Sequence, residues 1–127
     1  MTSREPYNES AEKIFIMAAN NIVDMYITAS SATDIYYLVK KHLHNPEATK
    51  QIMRKLYSLV GILDVKKEDC IDALVSPITD YEDAVIELVA RRTGIEYIVT
   101  RNQKDYKAGL TKIFLPKDFI QFMEQSE

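Results

Sequence analysis

A chain of 127 residues, 46% of them apolar, is long enough for one domain that buries roughly two thirds of its unfolded surface, and too apolar for disorder throughout. Its net charge of −3 excludes coating of nucleic acid by bulk electrostatics, while leaving room for a local basic patch or an acidic site offset by metal. No apolar run reaches the ~18 residues that span a bilayer and no signal-peptide pattern opens the chain; with a lone Cys70, suited to a small core position, the expectation is a cytoplasmic protein with no membrane partner.

Taken in chain order, residues 7–21 place Ala11, Ile14, Phe15, Ala18 and Ala19 on one helical face. Met25 to Ala29 is short, apolar and β-branched, and reads as a strand. Ser31 and Asp34 form an S-x-x-D start for a helix with Ile35, Leu38, Val39, His42 and Leu43 on one side. Asn45-Pro46 opens another helix with the stripe Ile52, Leu56, Leu59 and Val60, closed by Gly61. A strand at residues 62–65 and a short helix at 67–74 follow. Thr79 and Glu82 make a T-x-x-E capping box for a helix ending at Gly94, before the clearest strand, residues 95–100. A last strand at 113–115 leads through Pro116 into a helix with Phe119, Ile120 and Met123 inward. No linker or repeat divides the chain, so residues 1–127 read as a single domain.

Strands separated by helices, not by tight turns, predict an α/β fold: a central parallel sheet with helices on both faces. Ligands bind such sheets beyond the carboxyl ends of the strands, and the chemically loaded residues fall there. Asp34 follows the first strand, in the first turn of its helix; Thr100, Arg101, Asn102 and Asp105 leave the end of the 95–100 strand; Asp80 and Asp83 sit in a first helical turn. Converging, they would form an all-oxygen pocket of the kind Mg²⁺ or Mn²⁺ prefers, able to activate a water and stabilise a phosphate in reaction. The competing reading is plain capping, since acids in a first turn satisfy open N–H groups and complement the helix dipole. On residues alone, the two stay open.

ITASSATDIYYLVKK and DYEDAVIELVARRTGIEYIVTRNQKDY resemble the second-strand and third-acid segments of the PIN domain, a metal-dependent ribonuclease fold found in many bacterial toxins and some RNA-processing enzymes. FLPKDFIQF resembles its closing strand and helix. The resemblance covers nearly the whole chain, and the TRNQKDY loop is its most specific part. It implies Asp34 as the second acid and Asp83 as the third. Thr100-Arg101-Asn102 stands for the family's T-x-D, with an amide replacing the fourth acid and Asp105 supplying the charge, as in a T-R-N-x-x-D subgroup. Asp34, Asp83 and Asp105 are then the metal ligands, with Asn102 catalytic beside them and Thr100, Arg101 and Lys104 facing RNA. One departure stands out: the family opens with a central strand ending in an Asp, and residues 1–6 align with the segment after it. The resemblance therefore implies an N-terminally incomplete domain whose first strand and first acid are not in this chain, so that the chain itself need not be active.

The resemblance further implies RNA as partner, and an antitoxin or a second copy on the apolar stripe of the 46–59 helix. Lys107 and Lys112 add charge near the loop, while Lys40, Lys41, His42, His44, Arg54 and Lys55 read as a solvated helix face. Tyr26, Tyr36 and Tyr37 are assigned to core or interface packing. Two histidines on one hairpin offer no zinc site or histidine acid–base pair. The alternative to a ribonuclease is a catalytically inactive PIN-like module that binds protein or RNA. A receiver-like domain fits poorly, since Asp64 and Lys104 make a weak phosphoacceptor pair.

Overall fold

A computed structural model describes residues 7–100 and 112–125. They fall into two compact units, Phe15–Asp64 and the residues from Val65 onward together with those up to Ile14. The elements are α1 (Tyr7–Ala19), β1 (Tyr26–Thr28), α2 (Ala29–Leu43), α3 (Pro46–Leu59), β2 (Gly61–Leu63), α4 (Lys67–Ala73), α5 (Tyr81–Arg92), β3 (Tyr97–Val99), β4 (Lys112–Phe114) and α6 (Pro116–Gln125). The expected α/β class and parallel pairing are observed. Among the described residues the strands form two separate parallel pairs, β1 with β2 and β3 with β4. Each strand is three residues long, shorter than its apolar run, because the flanking residues are taken up by helix caps and turns.

In the first unit, α2 and α3 form the crossover that parallel β1 and β2 require, and both pack on β2. Thr28 ends β1 and caps α2 in one residue: its Oγ1 accepts from the Ser31 N–H at 3.1 Å. The helix therefore begins at Ala29, and Ser31 does not start it. Asn45 caps α3, accepting from the Ala48 N–H at 3.1 Å, with Pro46 in the first turn as expected. The buried stripe of α3 is Thr49 and Met53 continuing through half-buried Leu56 to Val60, which keeps Leu56 and Val60 of the predicted stripe; Ile52 and Leu59 are exposed, as are Leu38 and Leu43 on α2. Thr49 is tolerated inside because its hydroxyl donates to the Asn45 carbonyl at 2.9 Å.

Gly61 does not stop α3 by a left-handed turn. Val60 is the extended C-cap, and Gly61 opens β2 opposite Tyr26. A Cβ on Gly61 would lie 2.7 and 2.8 Å from ring carbons of Tyr26, so the ring packs where a side chain would stand. Among the described residues the left-handed positions are Asn21, His44 and Gly94, each closing a helix. At Asn21 and Gly94 the bonds Ile22 N–H to Met17 O and Ile95 N–H to Ala90 O complete Schellman caps. At His44 the single bond to the Lys40 carbonyl, 2.8 Å, does the same with a residue less suited to this backbone, at a cost of about 1 kcal/mol.

In the second unit, α4 packs on α5, α5 on β3 and α6 on β4. Tyr97, Phe114, Phe119 and Phe122 gather with ring centroids 5.0–6.0 Å apart, tying the β3–β4 pair to α6. Val85, Val89, Ala84 and Ala90 bury the inner face of α5. Cys70 is exposed, contrary to its expected core position; the residues of α4 that turn inward are Asp69 and Ala73.

The Tyr26–Gly61 pair gives a direct test. Gly61→Ala should destabilise by about 1 kcal/mol, since half-exposed Tyr26 escapes the clash only by abandoning its packing. In a Tyr26→Ser background the same change should cost close to nothing. Equal costs in both backgrounds, measured by urea unfolding, would show that the ring is not what excludes a side chain at Gly61.

Candidate functional site

The acids of the first unit are placed by the strand-to-helix junction at Thr28. Because Thr28 itself caps α2, no acid occupies the first turn of that helix, and Asp34 stands in the second turn, exposed. This corrects the expected first-turn position. Asp34 is thus not a capping residue; the capping role belongs to Thr28, whose hydroxyl also bonds to those of Ser30 and Ser31 at 3.0 and 2.9 Å. The ITASS segment held this signal, a threonine three residues before a serine at a strand end, but S-x-x-D masked it.

The second unit places Asp83 and Thr100. Asp80, not Thr79, caps α5, its Oδ1 accepting from the Asp83 N–H at 2.9 Å. The cap stands one residue later than expected, and Asp83 occupies the third helical position, half-buried, with Glu82 beside it. Thr100 is half-buried and extends the β3–β4 ladder, its N–H donating to the Phe114 carbonyl at 2.9 Å. The chain reverses through the Gly94 cap, so the start of α5 and the end of β3 fall at the same end of this unit. That is the end where an α/β sheet presents its ligands. Arg101, Asn102, Lys104 and Asp105 lie outside the described residues. Among the described residues, no three His, Cys, Asp or Glu side chains gather closely enough to hold a metal.

What fixes α5 is at its other end. Arg92 grips Asp69 of α4 with two bonds, Nε to Oδ1 at 3.1 Å and a terminal nitrogen to Oδ2 at 2.7 Å. Asp69 also accepts from the Lys66 N–H at 2.8 Å, which closes the start of α4. The hydrogen bond from Arg92, helped by that N–H, holds the Asp69 carboxyl below its ordinary value of 3.8 against the opposing effect of burial. One turn before Arg92, fully buried Glu87 accepts from Arg91 Nε at 3.1 Å. The Asp69–Arg92 pair was not visible in the sequence, because the two residues are 23 apart, whereas Glu87 and Arg91 stand at the i,i+4 spacing of an ordinary helix pair.

A family model described as a PIN domain matches residues 1–104. The chain belongs to the PIN domain family. No curated protein matches it. PIN domains have a nuclease-type fold, generally depend on divalent metal and generally act on RNA. The matched span contains Asp34, Asp83 and the whole Thr100–Lys104 stretch, but not Asp105. The donor chemistry at these positions, carboxylate and amide oxygens, suits the hard cations such PIN sites take.

One feature was missed entirely. Tyr37, Lys40, Lys41 and His44 follow one face of α2 at helical spacing, and with Pro46 they line an open cavity of about 560 Å³ at the α2–α3 turn. Tyr37, assigned to packing, is 65% exposed, and Tyr26 is exposed as well.

Asp69→Asn should destabilise the chain by about 2–3 kcal/mol at pH 7, because it leaves Arg92 without its charged partner. The sign with pH follows from the lowered carboxyl. Its stabilisation is complete above the ordinary value of 3.8 and is lost as pH falls through the depressed native value. Urea midpoints across pH 2–7 should therefore converge for wild type and variant at the acid end, and a constant gap would exclude this linkage.

Proposed function

We propose that this chain carries the metal site of a PIN-type ribonuclease, hydrolysing RNA phosphodiester bonds with Mg²⁺ or Mn²⁺. Asp83 carries the argument: it is half-buried in the first turn of α5 and has its backbone N–H capped by Asp80. Asp34, Asp83 and Asp105 are assigned as metal ligands, Asn102 as the residue orienting the attacking water, and Thr100, Arg101 and Lys104 as contacts to RNA. The bound cation would supply Lewis acidity and an acidified water. The chain's own residues would hold oxygen donors at the strand ends and present cations to phosphate. A toxin held by an antitoxin and an enzyme of housekeeping RNA turnover are both settings for this activity.

The second reading is a PIN module that binds protein or RNA without cutting. The readings part at Asp83. As a ligand it is indispensable; as a dipole-complementing first-turn acid it is worth only about 0.3–1 kcal/mol of stability.

End-labelled RNA incubated with Mn²⁺ should be cut, and EDTA should stop the cutting. Asp83→Asn should lower the rate roughly 100-fold or more while costing less than about 1 kcal/mol of stability. Cleavage by Asp83→Asn at the wild-type rate would refute the assignment.

A further inference from the structure

We infer that the cavity at the α2–α3 turn is a binding subsite for a single RNA strand, with a base on Tyr37 and backbone phosphates on Lys40 and Lys41. The inference rests on the ribonuclease reading for its choice of polymer and extends it to a surface no part of the site above uses. Three observations carry it.

First, the cavity is lined by Tyr37, Lys40, Lys41, His44 and Pro46, with no carboxylate among them, in a chain whose net charge is −3. Neither lysine is engaged in an ion pair among the described residues; of the two nearest acids in sequence, Glu47 pairs with Lys50 at 3.9 Å and Asp34, exposed about one turn before Tyr37, is not part of the lining. The carbonyl end of α2 contributes about half a negative charge, and two lysines outweigh it, so the cavity remains net positive.

Second, Tyr37 offers a large ring to solvent, at 65% exposure, on the same face as the lysines. Tyr36 meets it edge to face, with centroids 5.2 Å apart at 87°, which restrains the ring and leaves its outer face available. An exposed aromatic beside cations is the arrangement that stacks a base while its phosphates are neutralised.

Third, the turn holds His44 in left-handed backbone, where the two other helix ends with this geometry use Asn21 and Gly94. The retained ring completes the lining between Lys41 and Pro46.

The test is binding of a fluorescein-labelled oligouridylate to the full chain in EDTA, followed by anisotropy over a salt series. Lys40→Gln with Lys41→Gln should weaken binding at least about 10-fold and flatten the salt slope by about 1.4, two phosphates' worth. Tyr37→Leu should weaken it about 5- to 100-fold without changing the slope, and Tyr37→Phe should restore it. Lys55→Gln with Lys67→Gln removes the same charge elsewhere and should have little effect.

Four outcomes overturn the inference: no binding by wild type, binding indifferent to Tyr37, equal losses in the two lysine pairs, or displacement by polyglutamate with the same variant pattern, which would assign the cavity to an acidic peptide. Manganese-dependent cleavage in parallel separates the two readings. Cleavage that needs Asp83 alongside binding indifferent to Tyr37 sinks the subsite alone. Tyr37-dependent binding without any cleavage sinks the nuclease alone.

Discussion

A pair of three-residue parallel strands cannot hold itself together in water, and this chain is built around two of them. Each ladder offers few backbone bonds and each face is too small to form a core. Everything that keeps β1–β2 and β3–β4 in register must come from the helices laid on them. In the first unit that work falls to α2 and α3, which form the crossover and cover β2 together. In the second it falls to the aromatic cluster of Tyr97, Phe114, Phe119 and Phe122, and to α5 with its buried valines and alanines. Helix ends consequently matter more than strand propensity here, and the most ordered chemistry of the molecule is found at them.

The Asp69–Arg92 bond shows how. Asp69 serves two helix ends at once, accepting from the N–H of Lys66, the N-cap of α4, and from Arg92 at the last turn of α5. Buried charge is expensive, and it is tolerated because every oxygen lone pair facing inward has a donor of opposite charge or a backbone N–H. Arg92 remains partly exposed, which lowers the desolvation cost on its side of the pair. The bond also complements the carbonyl end of α5, where a cation is favourable. It fixes one end of α5 while Asp80 fixes the other, and Asp83 is placed by both.

Much of this was legible in the sequence, and the failures share a cause. Helix and strand order, the parallel pairing, Asn45-Pro46, Gly94 and the inward Phe119 followed from periodicity and turn chemistry. The caps slipped where two candidates stood close together: Thr28 against Ser31, and Asp80 against Thr79. Local strings cannot decide between neighbours whose hydroxyl or carboxylate reaches the same N–H; the strand end decides it by fixing where the helix begins. Gly61 was misread because its role is set by Tyr26, 35 positions earlier in the chain and opposite in the ladder. The stripes of α2 and α3 were partly misread because apolar spacing marks a face without saying whether anything covers it.

The same displacement of caps bears on the candidate site. Had Asp34 and Asp83 been the capping residues of their helices, their carboxylates would have been explained by local structure, with nothing left for chemistry. The observed caps are Thr28 and Asp80, each making the bond to the N–H three residues on. Asp34 is then an exposed acid in a second helical turn, where the dipole no longer rewards it. Asp83 is half-buried at a helix start where Asp80 caps the Asp83 N–H. Local structure accounts for an acid at Asp80 and asks for none at Asp34.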